Sequence, residues 1–333
     1  MTVVVTGGAG YIGSHMVLAL LDAGEDVTVI DNLSTGFRWA VPDKARFIHG
    51  DIGDPAVLDR AFATGAVDAV IHFAGSIVVP DSVVDPLGYY HNNTVKTHGL
   101  LAAAVRARVP HFIFSSTAAV YGYQDEMPVP ETAQLAPISP YGTSKLMSEL
   151  MLRDVAAAHG LTYAVLRYFN VAGADPLGRS GQSTPRATHL IKVAAQAALG
   201  YRPFLEIFGR DYPTPDGTCI RDYIHVTDLI SAHMAALAYL RAGGKSDTFN
   251  CGYGRGYSVL EVIRAVERAT NRPLILRDGP QRAGDPPMLV AGATKIRERL
   301  GWVPNHDDLG EIVSSALAWE NRLRTELLEK SAV

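Results

Sequence analysis

The N-terminal segment constrains the fold of this chain more than any other, because a strand, a glycine-rich turn, a helix and a second strand follow one another without a gap. TVVVTGG is a short apolar run of the kind buried on both faces of a parallel sheet. Apolar residues then recur at helical spacing in YIGSHMVLALLDAG, which ends at Gly24, and EDVTVIDN is a second strand. These segments predict a βαβ unit.

Three glycines at the predicted strand-to-helix turn, Gly7, Gly10 and Gly13, are typical of a dinucleotide site. Such glycines let the backbone approach a pyrophosphate at a helix N-terminus, where free N–H groups and the helix dipole favour anions. Asp31 ends the second strand, where a carboxylate binds the adenosine ribose and repels a 2′-phosphate. The strand, helix and acid around the glycines favour bound NAD over an ordinary tight turn.

Strands and helices continue to alternate through FIFSSTAAVYG, which predicts an α/β fold with a doubly wound, Rossmann-like parallel sheet. Ligands of such sheets bind beyond the carboxyl ends of the strands. Short clusters at predicted strand ends therefore share one rim: Asp51 and Ile52, Phe73 to Gly75, and Ser115 to Thr117.

A candidate catalytic pair follows in SPYGTSKLMSE. Ser139 is a predicted helix cap with Pro140 at the first helical position, so Tyr141 and Lys145, four residues apart, share one helical face. Tyr141 then acts as a general base and Thr117 holds the same substrate oxygen. We expect the Lys145 ammonium and a bound nicotinamide cation to lower the pKa of Tyr141, whose ordinary value is about 10.

Composition narrows the possible partners. The net charge of −4 does not favour nucleic-acid binding, and no apolar run is long enough for a membrane span. The two cysteines, Cys219 and Cys251, lack metal-ligand spacing and indicate a reducing, cytoplasmic location without disulfides. The histidines form no metal-binding motif, so we expect no metal.

These motifs together resemble the extended short-chain dehydrogenase/reductase family, and within it the nucleotide-sugar epimerases. The resemblance covers nearly the whole chain and rests on segments that stand in the family's order: VTGGAGYIGSH, VIHFAG, YYHNN, FSSTAAVYG, SPYGTSKLMSE, LRYFNVAGAD, IFGRDYPTPDGTCIRDYIHV and RAGDPP. It implies tightly bound NAD, a UDP-sugar substrate, a homodimer, and reversible 4-epimerisation of UDP-glucose and UDP-galactose through a 4-keto intermediate.

The resemblance also implies a set of site residues. Those expected at NAD are Gly7, Gly10, Tyr11, Ile12, Gly13, Asp31, Asn32, Asp51, Ile52, Phe73, Ala74, Gly75, Asn92 and Lys145. Those expected at the UDP-sugar are Thr117, Tyr141, Asn170, His189, Leu190, Phe208, Arg221, Arg282, Asp285 and Leu289. Arginine suits a diphosphate, but from the residues alone a surface ion pair of Arg221 or Arg282 with Asp222 or Asp285 is an equal interpretation.

Three positions depart from the family's commoner pattern. Ile77 stands where a lysine often lies near the cofactor, and His189 replaces an asparagine, so we expect protonation of His189 to make substrate binding depend on pH. Leu289 stands where the family limits the size of the sugar, which leaves open another UDP-sugar, such as an N-acetylated one or a pentose.

Other functions on this fold remain alternatives. Nucleotide-sugar dehydratases need an acid and a base directly after the strand-end threonine, where this chain has Ala118 and Ala119. A non-catalytic NAD-binding protein tends to lose the Tyr–Lys pair, which is intact here. A dehydrogenase that releases NADH is a third alternative.

The rhythm of the sequence changes after Asn170 and suggests two domains. We expect an NAD-binding domain over residues 1–170, to which residues 214–242 return, and a mixed α/β domain over residues 171–333 that binds the UDP-sugar. In the second domain Ser258 and Glu261 have the spacing of a capping box at the start of a helix.

Overall fold

The computed structural model describes residues 1–63, 65–184, 187–282 and 285–327. Parts of the predicted linker LGRSGQSTPRA and of the RAGDPP motif, together with the end of the expected second domain, lie outside these residues.

Seven apolar segments form one parallel sheet, which confirms the predicted doubly wound α/β fold. In chain order its strands are β1 (Thr2–Thr6), β2 (Asp26–Asp31), β3 (Arg46–His49), β4 (Val67–His72), β5 (His111–Thr117), β6 (Thr162–Tyr168) and β10 (Asp247–Cys251). In space the order is β10-β6-β5-β4-β1-β2-β3, so the chain starts in the middle and winds outward in both directions.

Helices cover both faces of this sheet because its strands are apolar on both sides. The α-helices in the first half of the chain are α1 (Tyr11–Asp22), α2 (Pro55–Phe62), α3 (Val79–Val84), α4 (Pro86–Tyr89), α5 (Lys96–Arg106) and α6 (Pro140–His159). One buried cluster joins the sheet to α1 and to α8 (Val226–Arg241), and a second joins it to α2, α5 and α6. The apolar side chains of α5 that face the sheet are thus buried in this second cluster.

Two small sheets carry the rest of the strands. One contains β7 (Asn170–Ala172), β9 (Ile220–His225), β11 (Gly256–Ser258) and β13 (Met288–Leu289), and the other pairs β8 (Leu205–Phe208) with β12 (Leu276–Gly279). Their helices are α7 (Leu190–Ala198), α9 (Val259–Thr270), α10 (Thr294–Leu300) and α11 (Leu309–Arg322). A third buried cluster joins α7, α9 and α11.

Local signals at two helix starts are confirmed. The Ser139 hydroxyl accepts a hydrogen bond from the Gly142 backbone at the start of α6, and Ser258 and Glu261 form the reciprocal capping box of α9. A π-helical turn, Tyr90–Val95, directly precedes α5. Within the described residues, no helix combines the length and apolarity that crossing a membrane requires.

Candidate active site

The glycine-rich turn is closed so tightly that side chains cannot replace two of its glycines. Gly7 has a φ of 72°, and a Cβ there would lie 2.7 Å from the backbone nitrogen of Ala74. A Cβ on Gly13 would lie 2.1 Å from the carbonyl oxygen of Gly7. Helix α1 begins after Gly10 without a side-chain cap. The packing of the glycines places its first turn at the carboxyl edge of the sheet.

The backbone N–H groups of that first turn have no partner within the helix, so they can donate hydrogen bonds to a pyrophosphate. The turn therefore fits NAD, with Gly10, Tyr11, Ile12 and Gly13 as the residues that would hold it. Tyr11 extends away from the turn, and its hydroxyl donates to the Gly173 carbonyl oxygen at 2.7 Å.

Asp31 lies beside the turn, buried at the end of β2. One of its carboxylate oxygens accepts a hydrogen bond from the Ala9 backbone at 2.9 Å, and the other accepts one from Leu33 at 2.8 Å. Each carboxylate oxygen has a second lone pair. The carboxylate therefore remains able to accept from ribose hydroxyls.

Asp51 forms the next part of the rim, at the end of β3. Its carboxylate accepts from Lys96 at 2.7 Å, from Asn32 at 3.1 Å and from the Gly53 backbone at 2.7 Å. Burial alone would raise the pKa of Asp51, but these hydrogen bonds outweigh it and lower the pKa. Ile52 beside it is buried in the core.

The segment after β4 joins the cofactor half of the site to the catalytic half. Phe73 packs against the ring of His233, with centroids 5.1 Å apart, and Ala74 lies against Gly7. A Cβ on Gly75 would lie 3.6 Å from Lys145 Nζ and 3.0 Å from Asn93 Oδ1. The absence of a side chain at Gly75 thus keeps the space above Lys145 open.

Two asparagines of the π-helical turn hold this segment. Asn92 donates to the Ser76 hydroxyl at 2.9 Å, whereas Asn93 accepts from the Ser76 backbone at 2.7 Å and donates to Ser144 at 3.0 Å. Asn92 is among the residues expected at NAD, whereas Asn93 is not. Ile77, the departure noted in this segment, is 51% exposed.

Thr117, Tyr141 and Lys145 come together where β5 ends against α6. The Thr117 hydroxyl lies beside the Tyr141 phenol, whose pKa it lowers, and it accepts a hydrogen bond from the Ala119 backbone at 3.1 Å. Lys145 is buried, donates to the Ser115 carbonyl oxygen at 2.9 Å, and lies 4.9 Å from the centre of the Phe114 ring. The predicted cluster is therefore assembled in the structure.

Burial shifts the pKa of both ionisable groups in this cluster. It raises the pKa of Tyr141 to about 12, and the Thr117 hydroxyl opposes this only in part. It lowers the pKa of Lys145 to about 8, against the attraction of Glu149. The lowering of the Tyr141 pKa by Lys145 together with a bound nicotinamide cation stays a prediction.

Arg221 and Asp285 form one pair in the substrate half. Arg221 Nη2 lies 2.6 Å from Asp285 Oδ1, and the Arg221 side chain is only 11% exposed. Asp222 is not its partner: this carboxylate accepts from the Tyr253, Gly254 and Ala291 backbones, and burial raises its pKa to about 6. Among the ion-pair interpretations, the Arg221–Asp285 pair is present, but it is largely buried rather than at the surface.

Arg282 and Phe208 form a second pair nearby. The guanidinium carbon of Arg282 lies 3.8 Å from the centre of the Phe208 ring, on an exposed side of the molecule. Tyr212, which sequence reasoning missed, is buried beside Arg221 and Asp285, whose charges both act on its hydroxyl. The Tyr212 hydroxyl interacts weakly with the Cys219 thiol. It makes no conventional hydrogen bond with the described residues.

Leu289 is brought to the catalytic centre by β13. It lies in register with Arg221 of β9, and it is buried in a cluster with Ala118, Tyr121 and Phe169. Ala118 directly follows Thr117, so Leu289 belongs to the wall beside the catalytic residues.

An open cleft brings together Asn170, His189, Leu190 and Tyr11. His189 precedes α7 and lies 3.3 Å from Gln182 through its Nδ1. Burial lowers the pKa of His189, and Lys192 lowers it further. His189 is therefore neutral at pH 7, and any effect of its protonation falls on the acidic side.

A search of the described residues for metal sites finds no cluster of three or more His, Cys, Asp or Glu side chains able to hold an ion. Both cysteines of the chain are free and buried.

Comparison with known proteins gives consistent results. The model of the NAD dependent epimerase/dehydratase family matches residues 3–252. The UDP-glucose 4-epimerase of Azospirillum brasilense is 59% identical over 330 residues, which are 99% of this chain and 95% of that protein. The structure of UDP-glucose 4-epimerase from Brucella ovis in complex with NAD is 45% identical, with a TM-score of 0.92, over 95% of this chain and 97% of that one. The UDP-Glc/GlcNAc 4-epimerase of Campylobacter jejuni is 47% identical, with a TM-score of 0.84, over 96% of this chain and 99% of that one.

Proposed function

The chain belongs to the NAD-dependent epimerase/dehydratase family, and we propose that it interconverts UDP-glucose and UDP-galactose by epimerisation at carbon 4. The observation that carries this proposal is the placement of Thr117, Tyr141 and Lys145 where the end of β5 meets helix α6, at the strand end that faces the glycine-rich turn.

In this function Tyr141 exchanges a proton with the 4-hydroxyl of the sugar, and Thr117 hydrogen-bonds the same oxygen. NAD, when bound, supplies a reversible hydride acceptor for carbon 4. The resulting 4-keto sugar turns over while its nucleotide stays anchored, so that hydride returns to the opposite face.

The raised pKa of Tyr141 has a mechanistic consequence. With a pKa of about 12 the Tyr141 phenol is protonated at neutral pH. The positive charges of Lys145 and of a bound nicotinamide cation favour the phenolate. Tyr141 would therefore serve as the base when these charges lie beside it.

The substrate half is suited to an anchored nucleotide and a loosely held sugar. Arg221, Arg282 and Asp285, with Phe208, surround a region outside the catalytic pair, and Asn170, His189 and Leu190 line the adjoining cleft. Arginine binds diphosphate through two parallel hydrogen bonds and keeps its charge. The ring of the sugar then depends on Thr117, Tyr141 and Leu289.

Dehydration is disfavoured by the residues after Thr117. Ala118 and Ala119 begin a 3₁₀ turn there, and neither methyl group transfers a proton. The elimination of water that a dehydratase performs therefore lacks its acid and base at this position.

The division of labour follows the fold. We propose that residues 1–170, with the returning segment 214–242, bind NAD and that residues 171–333 bind the UDP-sugar. Helix α8 packs on the large sheet, which supports the return of the chain to this domain. Strand β10 (Asp247–Cys251) also joins that sheet, so the returning part extends beyond residue 242.

We further propose a homodimer in the cytoplasm. Exposed apolar side chains lie close together on α3, α4 and α6: Val83, Val84, Leu87, Met147 and Leu150. A second copy would cover them, and light scattering of the purified protein tests this. The free Cys219 and Cys251 thiols suit a reducing compartment.

The deciding experiment is turnover on a panel of UDP-sugars without added NAD. Interconversion of UDP-glucose and UDP-galactose is expected, with near-ultraviolet absorbance from bound cofactor that rises on adding a reductant. A requirement for stoichiometric NAD with release of NADH would instead identify a dehydrogenase. Preference for an N-acetylated sugar or a pentose would change the substrate and keep the reaction.

A further inference from the structure

Three consecutive residues at the end of β5 are each tied to one residue of helix α6. The Ser115 carbonyl accepts from Lys145, the Ser116 hydroxyl donates to Glu149, and the Thr117 hydroxyl lies beside the Tyr141 phenol. Tyr141, Lys145 and Glu149 are four residues apart and therefore lie on one face of the helix. The mechanism above uses the first two and leaves Glu149 without a role.

Glu149 is held as a buried carboxylate. Its two oxygens accept from Arg167 of β6, Nε at 3.1 Å and Nη2 at 2.6 Å, and only 7% of its side chain is exposed. Arg167 also donates to the Tyr121 hydroxyl at 2.9 Å, which donates to Asn250 Oδ1 at 2.6 Å. A bidentate buried pair with its remaining groups satisfied fixes both the position and the negative charge of Glu149.

Glu149 follows Lys145 by one turn of helix α6. Burial disfavours the ammonium and lowers the pKa of Lys145 to about 8, and Glu149 is the group that opposes this. His72 of β4 also faces Lys145 but is neutral, because burial and then Lys145 lower its pKa to about 3. The other titratable or charged groups facing Lys145 or Glu149 are Tyr141 on their own helix, Tyr121 after β5, and Tyr163 and Arg167 on β6.

We propose that Glu149 is a positioning residue for the reaction, which keeps Lys145 charged at neutral pH and, through Ser116, holds the end of β5 in reach of Tyr141. The proposal rests on the proposed epimerase function. No ligand contact is required of Glu149, because it acts through Lys145 and the strand end.

The test is the pH dependence of kcat/KM for UDP-galactose in the enzyme as purified with its NAD. Loss of the Lys145 charge sets the alkaline limb of this profile. In Glu149→Gln the amide keeps the shape but removes the charge, so the limb should move to lower pH by about one unit or more. A uniform fall in activity at every pH, with the limb unmoved, would overturn the proposal.

Glu149→Gln leaves the Arg167 guanidinium buried without its partner, which endangers folding. The double variant Glu149→Gln/Arg167→Met removes both charges and keeps their volume. It should fold and still show the shifted limb, since the shift follows Glu149. A folded double variant with the wild-type profile would also overturn the proposal.

Glu25→Gln is the matched control. Glu25 likewise accepts two hydrogen bonds from one arginine, Arg241, but at the opposite end of the sheet. It should lower stability without moving the limb. A wild-type enzyme that does not epimerise any UDP-sugar would refute the proposed function instead, and is thereby distinguished from failure of this inference.

Discussion

The two halves of the proposed active site are built in different ways. In the NAD half, the turn from Gly7 to Gly13 and the strand end at Thr117 are placed by continuous stretches of chain whose backbone leaves little freedom. In the sugar half, Phe208, Arg221 and Leu289 arrive from separate segments and meet only through the small sheets. The first half therefore depends on local backbone geometry, whereas in the second the arginines have partners that a ligand must join or displace.

The largest expected effect lies in the first half. Tyr141→Phe should lower turnover by at least about 100-fold, the usual contribution of a general acid–base residue, while NAD stays bound. Tyr89→Phe is a suitable control, because its ring lies 6.4 Å from Tyr141 but its hydroxyl bonds only Val78 in the described structure. Steady-state kinetics with absorbance of bound cofactor measure both. Near-wild-type activity of Tyr141→Phe would remove the phenol from the mechanism.

In the second half, Arg221→Ala and Arg282→Ala should each weaken UDP binding by about 2–3 kcal/mol, the range for hydrogen bonds to charged groups. Arg221→Ala should also reduce stability, because it leaves Asp285 without its partner, whereas Arg282 is exposed and should not. Calorimetric titration and thermal unfolding separate the two effects.

Arg210→Ala is the control for the arginines, since Arg210 pairs with Asp278 at the surface and surface pairs contribute little. Unchanged UDP affinity in both Arg221 and Arg282 variants would show that the diphosphate lies elsewhere.

This contrast also explains which features of the structure could be predicted from the sequence. Strand and helix periods, the glycine turn and the Tyr141–Lys145 spacing are local properties, and the structure has them as predicted. The π-helical turn that presents Asn93 has no such local signal. The pairing of Arg167 with Glu149 and the choice of Asp285 over Asp222 by Arg221 depend on which distant strands become neighbours. The pKa of Tyr141 depends on burial, which residue spacing does not report.

Leu289 lies between the two halves, and its substitution should have an intermediate effect on the choice of sugar. An added N-acetyl group must displace packed side chains around Leu289, at about 1–3 kcal/mol. UDP-N-acetylglucosamine should therefore be converted about 5- to 150-fold less efficiently than UDP-galactose. Leu289→Tyr should abolish this weak activity and keep the main one, as measured by kcat/KM for both sugars.

Leu289→Ser is the reverse variant and should raise activity on the acetylated sugar by opening the wall. Equal rates of the wild-type enzyme on both sugars, or no change in Leu289→Tyr, would exclude Leu289 as the limit on sugar size.

The smallest expected effect is that of Gly10→Ala on NAD affinity. A comparison with Gly13→Ala separates a glycine needed for the fold from one needed for the ligand. Gly13→Ala should prevent correct folding, because its Cβ would overlap the Gly7 carbonyl. Gly10 has a φ of −81°, which any residue adopts, and its Cβ would lie 3.3 Å from that same oxygen, a tight contact rather than an overlap. Gly10→Ala should therefore fold with only a small loss of stability. If a pyrophosphate lies over Gly10, the added methyl group should still weaken NAD binding, by about tenfold or 1.4 kcal/mol. Thermal unfolding of the NAD-free protein and titration with NAD measure the two quantities independently. Stability and NAD affinity that fall together would mean that Gly10 serves the turn, and unchanged NAD affinity would place the pyrophosphate away from it.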